Sequence, residues 1–526
     1  MLRGVSLSSW WLVFVLVLFL IGLGAFPVYI VDEARNAQAG WEMFRSGDWL
    51  VPTFNGGVRT DKPPLHYWAM QPFYALLGKT AVAARLGSAL CGVLTALLVF
   101  AFCRWSFSSR AAILSASVYG LGIYVPLQFG LATPDPYLAL CFTAGMFALF
   151  RGYRDCDKKF LFAGYALLGI GSLAKGPVIF VLAATAWAVY LLFSGRDWWS
   201  GVRRLNPLAG IILALAIAAP WYLMIHWQTE GLFTRDFFMD HNIRRFAHTK
   251  EGHGGPAPLI LLLALGALLP FSCWLPRAAV AAAGRSAAPA LKFCLVTGSA
   301  VLVFFALSGT KLPSYPFPAL AFLAVLIGVW LERLWLGQRP VLSDHLAFSV
   351  ASFFVAALPL AMWLGLKQDK VLAPLAGDWW HLGFLWPAAL GAAWYWLRQR
   401  PTYALATLAA AWWGLHLYLM LVLLPAISGF NQVTASLPVL KPSPSVTAFG
   451  RFAPAYVFEL DHEVPRLDSI IALTNWLDTV ADGGRLLSAE RYIDSIPPNA
   501  PLEIIFRQKD LFEYPTTIIY QYHAPH

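Results

Sequence analysis

Charge is scarce in this sequence. Only 13% of its 526 residues are Asp, Glu, Lys or Arg, whereas 59% are hydrophobic and 15% are aromatic. Soluble globular proteins of this size contain a smaller fraction of apolar residues. Apolar runs of roughly 20 residues, each long enough to cross a bilayer as a helix, recur from about residue 10 to about residue 425. The composition therefore predicts an α-helical polytopic membrane protein with about thirteen transmembrane helices.

Cysteine is also scarce, and the common nucleotide-binding motifs are absent. The six cysteines all fall in the apolar runs or at ends expected to face the cytoplasm, so no disulfide framework is expected. The sequence contains no P-loop and no dinucleotide-binding fingerprint. No basic stripe alternates with aromatic residues on a soluble segment, so a nucleic-acid partner is not expected. The net charge of +10 is better explained by membrane topology.

Short basic loops alternate along the chain with longer loops of mixed charge. The basic loops include those around Arg104, Arg154, Arg204 and Arg398. Loops rich in Lys and Arg stay in the cytoplasm, and this alternation predicts a cytoplasmic N-terminus. The longer polar loops then lie on the opposite side of the membrane, and the largest are residues 31–78 and 228–256.

The composition changes after Pro438. LKPSPS reads as a linker, and the residues that follow resemble an ordinary globular sequence. The segments AYVFEL, PLEIIF and TTIIYQYH predict strands, and LDSIIALTNWLDTVAD has helical spacing. We therefore predict a transmembrane domain over residues 1–438 and a small α/β domain over residues 439–526, on the same side as the long polar loops.

Five polar clusters fall in the loops of that outer side. They are the first loop, the segments ATPDP and LAKGP, the stretch from Thr229 to Gly255, and SGTKLPSYPFP. Ionisable groups near hydrocarbon are expensive to bury, so a chain this apolar retains them where they serve a function. Each cluster is a weak signal alone, but together they predict one functional site.

The first loop carries two acidic positions of interest. Asp32 is suited to deprotonate a hydroxyl group as a general base. The alternative is that it caps the helix predicted by ARNAQAGWEMF. Its neighbour Glu33 points elsewhere on that helix and is expected to be structural. In Asp61-Lys62-Pro63-Pro64 the prolines stiffen the backbone, and Lys62 suits a phosphate; the alternative is a solvated salt bridge.

The stretch from Thr229 to Gly255 adds a histidine and two arginines. Asp61 and His241 are together compatible with a divalent metal, and His253 is a rival ligand. Loop histidines are also common as plain surface residues. Arg244 and Arg245 suit phosphate through bidentate hydrogen bonds, unless one of them anchors to lipid headgroups.

The remaining clusters place cations and an acid at helix ends. Lys175 and Lys311 each lie just before a proline, and Tyr315 follows Lys311 by four residues. These groups suit a phosphate at the membrane interface, although snorkelling lysines and interfacial tyrosines occur in every membrane protein. Asp135, between two prolines, is either a second acid or a helix cap. One acid, several cations and apolar helices together favour transfer of a group from a lipid-phosphate carrier.

The first loop, VDEARNAQAGWEMFRSGDWLVPTFNGGVRTDKPPLHYW, resembles that of the aminoarabinose transferases that modify lipid A. These enzymes belong to the GT-C class of polyprenyl-phosphate-sugar glycosyltransferases, together with the protein O-mannosyltransferases. LAKGP, HNIRRF and KLPSYPFPA resemble later motifs of the family in the same order. The resemblance covers nearly the whole chain and implies a GT-C-like fold.

The resemblance also implies roles for particular residues. Asp32 corresponds to the acidic base, and Asp135 to a further acid. Asp61 and His241 correspond to metal ligands, although many relatives have glutamate at the position of Asp61; zinc, manganese or magnesium is the only cofactor expected. The residues implied to bind the donor phosphate are Lys62, Lys175, Arg244 or Arg245, and Tyr315.

The combined interpretation is an inverting glycosyltransferase of the bacterial inner membrane. It is expected to move a pentosyl or hexosyl group from a polyprenyl-phosphate donor, held among membrane lipids, to an envelope acceptor such as lipid A or a related glycolipid. Two alternatives stay open. A flippase or transporter of lipid-linked sugar would require ionisable residues within the spans or an inverted repeat. A protein O-glycosyltransferase would differ only in its acceptor.

Overall fold

The computed structural model describes residues 7–193, 197–247, 254–511 and 515–524, and this part of the chain is mostly helical. Its α-helices are α1 (Leu7–Leu20), α2 (Val31–Ser46), α3 (Leu65–Leu77), α4 (Ala81–Ser106), α5 (Ser109–Leu121), α6 (Tyr124–Phe129), α7 (Asp135–Asp155), α8 (Lys158–Lys175), α9 (Val178–Phe193), α10 (Trp198–Leu205), α11 (Pro207–Gln228), α12 (Leu232–Arg235), α13 (Arg244–Ala247), α14 (Pro258–Ala267), α15 (Leu275–Ala283), α16 (Pro289–Leu307), α17 (Leu320–Trp335), α18 (Leu342–Gln368), α19 (Leu385–Leu397), α20 (Pro401–Tyr418), α21 (Leu424–Ser428), α22 (Gln432–Leu440), α23 (Ala455–Leu460) and α24 (Ile470–Thr479).

The remaining elements are β-strands and stretches of 3₁₀ or π helix. The strands are β1 (Thr53–Phe54), β2 (Gly57–Val58), β3 (Val446–Phe449), β4 (Arg466–Leu467), β5 (Arg485–Ala489), β6 (Leu502–Lys509) and β7 (Thr516–Tyr522). Turns of 3₁₀ helix cover Phe271–Trp274, Phe317–Ala319, Ala373–Phe384 and Glu490–Ser495, and π-helical turns cover Asp236–Ile243 and Leu419–Leu423.

Several helices have the length and composition of membrane spans. Six of those described qualify, namely Ala81–Ser106, Trp198–Gln228, Pro289–Leu307, Phe317–Trp335, Leu342–Gln368 and Pro401–Ser428. The apolar helices Val178–Phe193 and Pro258–Ala267 are shorter. Large side chains such as Leu208, Val303 and Phe353 are exposed on these helices, as expected of a surface that faces lipid. The mostly helical, multi-pass architecture is confirmed, whereas the count of about thirteen spans stays a prediction.

Helices α2 and α3 are the polar elements of the first loop, and they pack closely together. A Cβ atom at Gly40 of α2 would lie 2.8 Å from the sulfur of Met70 on α3, so glycine permits this approach. Helix α2 ends at Gly47, whose φ of 71° is the left-handed conformation that glycine adopts without strain. Asp32 and Glu33 lie in the first turn of α2, where the helix dipole favours negative charge.

A buried ion pair holds the start of α2. Arg85 of α4 and Glu33 are both completely buried. Arg85 Nε and Nη2 donate to the two carboxylate oxygens of Glu33 at 2.7 and 3.0 Å. Nη1 donates to the carbonyls of Leu23 and Phe26, both at 2.8 Å, and Nη2 also donates to Pro27 at 3.0 Å. All five guanidinium N–H donors are therefore satisfied, as a buried arginine requires.

Glu33 extends the same network to a distant loop. Its Oε1 atom accepts a hydrogen bond of 3.1 Å from the backbone N–H of Ala132, three residues before Asp135. The pair thus ties four segments together: the turn over residues 23–27, α2, α4 and the loop that precedes α7. The expectation that Glu33 is structural agrees with these contacts.

The C-terminal residues form a mixed sheet with strand order β4-β3-β5-β7-β6. Strand β3 runs parallel to β4 and β5, while β7 runs antiparallel to β5 and β6. PLEIIF and TTIIYQYH supply β6 and β7, and α24 lies in the segment predicted to be helical. The prediction of a strand for AYVFEL is wrong, because these residues form α23. Its four consecutive positions 455–458 are all buried, which a helix enclosed on several sides permits and a strand with one exposed face does not.

The sheet packs directly on the first loop. Asn55 Nδ2 donates to the carbonyl of Val464 at 2.9 Å, and the N–H of Val464 donates back to Asn55 Oδ1 at 2.8 Å. Asp461 accepts hydrogen bonds from Trp41 Nε1 and Lys79 Nζ, at 3.0 and 2.8 Å. One cluster of buried apolar side chains includes members of α2, α3 and α4 together with members of α23, β5 and β7. Residues 439–526 therefore share a core with the helices that carry the acidic motif.

We predict that Arg85→Met destabilises the protein by about 3–5 kcal/mol, because Glu33 would remain buried without its partner. The measurement is the thermal unfolding of the purified protein in detergent. Arg85→Met combined with Glu33→Leu should recover part of the loss, since neither charge then remains buried. Arg110→Gln, which removes an exposed arginine, is the control and should melt like the wild type. Equal melting temperatures for Arg85→Met and the control would contradict the assigned role.

Candidate active site

A cavity of about 400 Å³ lies where α2, α7, α8 and α9 meet the loops around residues 61, 241 and 315. Seven of the nine side chains predicted from the sequence line it: Asp32, Asp61, Lys62, Asp135, Lys175, His241 and Tyr315. These residues come from five separate stretches of the chain. The prediction that the polar clusters converge on one cavity is therefore met by the geometry.

Asp61 and His241 are in direct contact. His241 Nε2 lies 2.9 Å from Asp61 Oδ1, and an Nη2 atom of Arg59 lies 3.4 Å from Asp61 Oδ2. Burial raises the pKa of Asp61, but the hydrogen bond from His241 and the charges of Arg59, His241 and Lys62 outweigh burial and hold this pKa well below its usual range. The carboxylate is therefore ionised in the cavity wall.

The described residues do not by themselves form a metal site. Catalytic zinc sites use three protein ligands, and Asp61 and His241 supply two. No group of three or more His, Cys, Asp or Glu side chains is placed to hold a metal within the described ranges. The rival ligand His253 lies outside those ranges, and the guanidinium of Arg59 faces the second oxygen of Asp61. Within the described residues, the contact between Asp61 and His241 is a hydrogen-bonded pair.

Arg59 is a site residue that sequence reasoning missed. It is buried, and its Nε donates to the Tyr67 hydroxyl at 2.9 Å while Nη2 donates to Asn36 Oδ1 at 3.0 Å. Burial lowers the pKa of Arg59, but Tyr67, Asp61 and Asp32 more than compensate and raise it, so the arginine stays charged. Asn36 follows Asp32 by one helical turn and also lines the cavity. That i,i+4 spacing is the signal that could have identified Asn36.

Asp135 and Lys175 form an ion pair at the other wall of the cavity. Lys175 Nζ lies 2.6 Å from Asp135 Oδ1 and 5.6 Å from the centre of the Tyr315 ring. Asp135 is the first residue of α7 and follows Pro134, the N-cap of that helix. Lys175 ends α8 and is followed by Gly176 at φ 85°, where a Cβ would lie 2.6 Å from the Phe237 ring. The ion-pair geometry thus relies on a glycine that no other residue replaces without strain.

Two other basic residues, Arg244 and Lys311, do not line the cavity. Arg244 is exposed, pairs with Asp240 one turn earlier on the same helical segment, and is absent from the cavity lining. The side chain of Arg245 lies outside the described part of the structure. Lys311 is buried and donates to the carbonyl of Ser308 at 2.7 Å. Phosphate binding by Arg244 or Arg245 therefore stays a prediction.

His66 is a buried histidine behind the cavity. It lies on α3, and its ring packs on that of Tyr67 with 3.8 Å between the ring centres. Burial, followed by the charges of Arg59 and Lys62, holds the pKa of His66 well below its ordinary value. Burial likewise raises the pKa of Tyr67 to about 12. Both rings are therefore neutral at physiological pH. The positive charge beside them is carried by Arg59 and Lys62.

Comparisons with known proteins show similarity to glycosyltransferases that are named for lipid-phosphate donors. A sequence model of the family described as dolichyl-phosphate-mannose-protein mannosyltransferase matches residues 61–224. The chain is 31% identical over 359 residues to the undecaprenyl phosphate-α-4-amino-4-deoxy-L-arabinose arabinosyl transferase of Pseudomonas savastanoi pv. phaseolicola, and the alignment covers 67% of this chain and 66% of that protein. It is 30% identical over 349 residues to the transferase of the same name from Pseudomonas aeruginosa PAO1, and that alignment covers 65% of this chain and 63% of that protein. The chain thus spans slightly less than two thirds of the length of these relatives.

The fold is shared with a solved structure over the full length. The crystal structure of ArnT from Cupriavidus metallidurans bound to undecaprenyl phosphate superposes with a TM-score of 0.82 at 22% identity. The match covers 99% of this chain and 100% of that chain. The expected resemblance to the aminoarabinose transferases, with a GT-C-like fold, is confirmed.

We predict that lowering the pH destabilises the protein through His66. Its pKa in the folded state lies below the unfolded value of 6.5, so the unfolded state binds the extra proton and stability falls as the pH drops below about 6.5. For each pH unit below 6.5, the free energy of unfolding falls by about 1.4 kcal/mol. Melting temperatures at pH 7.5 and 5.5 should therefore differ less in His66→Gln than in the wild type. His462→Gln, at an exposed histidine, should keep the wild-type difference, and an unchanged difference in His66→Gln would refute the assignment.

Proposed function

We propose that this chain is a glycosyltransferase that moves a pentose or hexose from an undecaprenyl-phosphate-type donor to lipid A or a related glycolipid of the bacterial inner membrane. The observation that carries the proposal is the single cavity that joins an acid, two lysines and a tyrosine from distant parts of the chain. The relatives that share its sequence bear the name of that activity.

Lys62, Lys175 and Tyr315 form the donor end of the cavity. When the bond between the sugar and the phosphate breaks, negative charge grows on the phosphate oxygens, and two ammonium groups and a phenol stabilise it. Asp135 holds Lys175 in place beside Tyr315 before the donor arrives. The apolar residues Val178 and Phe304 in the same wall are suited to the first units of a prenyl chain.

Asp32 forms the acceptor end. Its carboxylate takes the proton of an acceptor hydroxyl, whose oxygen attacks the anomeric carbon from the face opposite the phosphate. The new carbon–oxygen bond forms as the bond to the phosphate breaks, so the configuration inverts and the lipid phosphate leaves. Arg59, held by Tyr67 and Asn36, lies close enough to interact electrostatically with Asp32.

The topology forms part of the same proposal. We place the N-terminus in the cytoplasm and the cavity in the periplasm, with about thirteen spans in residues 1–438. Residues 439–526 form a periplasmic α/β domain. Packing supports a common side for the sheet and the cavity, because α23 and the sheet share a core with α2, which carries the cavity residues Asp32 and Asn36.

One experiment identifies the acceptor and distinguishes the proposed function from its alternatives. Mass spectrometry of envelope glycolipids and envelope proteins, with and without the chain, should show a sugar added to a glycolipid. The family model named for protein mannosyltransferases gives a glycosylated protein as the alternative product. A transporter would instead carry lipid-linked sugar across liposomes without any product.

We predict that Asp32→Asn abolishes transfer while donor binding persists, because the amide cannot accept the acceptor proton. The expected loss in kcat is about 10²–10⁴-fold with little change in the melting temperature. The measurement is sugar transfer by the purified protein together with binding of undecaprenyl phosphate. Asp236→Asn, at a partly buried acid of the π-helical turn, is the matched control. Near wild-type turnover by Asp32→Asn would exclude Asp32 as the base.

We predict that Lys62→Gln weakens binding of the donor phosphate by about 10–100-fold, the range expected for loss of a hydrogen bond to a charged group. Titration with undecaprenyl phosphate measures this directly and requires no turnover. Lys509→Gln removes an exposed lysine on β6 and should bind like the wild type. If the two variants bind equally well, Lys62 does not contact the phosphate.

A further inference from the structure

A second cavity, as large as the first, lies among α8, α9, α10 and α11. Its volume is about 410 Å³, and nearly all of its wall is apolar, including Leu168, Phe180, Ala184, Trp187, Val202 and Ile211. Ile211 and Leu215 in this wall are about half exposed, so the cavity opens on the outer surface of the helices. We call it the α10 groove. The hydroxyl of Tyr165 on α8 donates to the carbonyl of Leu205 at 3.2 Å, which fixes α10 against α8 and keeps the groove formed.

The α10 groove and the candidate active site use different sides of α9. Val178 and Val181 line the active-site cavity, whereas Phe180, Ala184 and Ala188 line the groove. At 3.6 residues per turn, the mean direction of Val178 and Val181 differs by about 120° from that of all six groove residues of α9, which are Phe180, Ala183, Ala184, Trp187, Ala188 and Leu191. A prenyl chain whose phosphate lies at Lys62 and Lys175 would have to wind around α9 to enter the groove. The groove therefore needs another occupant.

Basic residues lie at the end of the groove formed by α10. The sequence WWSGVRRL places Trp198, Val202 and Leu205 in the groove wall and leaves Arg203 exposed. Trp199 is 64% exposed beside them. Arg204 Nη2 donates to the carbonyl of Arg154 at 2.9 Å, which joins α10 to the end of α7. An apolar face with flanking Trp and Arg is the pattern of a helix that lies in the membrane interface.

The start of α8 adds two more cations at the same end. Lys158 and Lys159 are both exposed, and they precede the groove residue Tyr165 by about two helical turns. The side-chain chemistry of this region is therefore apolar within the groove and cationic at its mouth. Nearby acids are fewer: Asp155 contacts Arg151 and Arg154, and Asp157 and Asp197 cap the first turns of α8 and α10.

We propose that the α10 groove binds an anionic glycerophospholipid. One acyl chain fills the apolar groove, and the phosphate lies against Arg203 and the lysines at the start of α8. The argument is complementarity: any phospholipid supplies the chain, but only a lipid with net negative charge gains from the exposed cations of α10 and of the start of α8 beside the groove. This lipid site is separate from the donor site and does not depend on the proposed reaction.

The experiment is native mass spectrometry of the full-length protein released from detergent, with phosphatidylglycerol, phosphatidylcholine or undecaprenyl phosphate added. We expect the wild type to retain one phosphatidylglycerol with about tenfold preference over phosphatidylcholine. Ala184→Phe fills the groove from an exposed position and should abolish this retention. Arg203→Gln combined with Lys158→Gln should reduce the preference for phosphatidylglycerol.

Matched controls keep the test specific. Ala216→Phe adds the same ring at an exposed position of α11 outside the groove wall, and Arg110→Gln removes an exposed arginine on α5. Both should retain phosphatidylglycerol like the wild type. Equal retention of the two phospholipids by the wild type, or wild-type retention by Ala184→Phe, would overturn the proposal. So would one-for-one displacement of phosphatidylglycerol by undecaprenyl phosphate, because the groove would then hold the donor chain.

Discussion

The buried ion pair between Arg85 and Glu33 is the contact on which the geometry of the cavity depends. Two charges removed from water are tolerated only when every donor and acceptor has a partner, and this pair meets that condition through three backbone carbonyls and the N–H of Ala132. Because Glu33 follows Asp32 directly, the same contact fixes the start of α2 and the position of the candidate base. Because Ala132 lies three residues before Asp135, it also fixes the loop at the opposite wall.

Charged side chains within the cavity are arranged in pairs. Asp61 lies between His241 and Arg59, and Asp135 holds Lys175. The sheet of residues 446–522 supports this arrangement from outside, since its buried side chains pack with those of α2 and α3. The C-terminal residues therefore belong to the structure of the site as well as to the surface of the molecule.

Much of the fold follows from patterns that are local in sequence. Long apolar runs predict helices that face lipid, and the β-branched and aromatic residues of PLEIIF and TTIIYQYH predict the strands β6 and β7. For AYVFEL, prediction from local residue types fails. Its aromatic and β-branched residues favour a strand, yet burial against both the sheet and α2 makes it the helix α23. Propensity is a weak preference, and tertiary packing overrides it.

The sequence by itself determined which motifs are candidates for the site: the acids of the first loop, Lys62, Lys175, His241 and Tyr315 all belong to short, recognisable segments. Only the tertiary structure decided how they pair. Arg59 with Asn36, Lys175 with Asp135, and Arg85 with Glu33 are 23, 40 and 52 residues apart. Hydrogen bonds and ion pairs act over a few ångströms, so partners of this kind are set by the packing of helices and not by spacing along the chain.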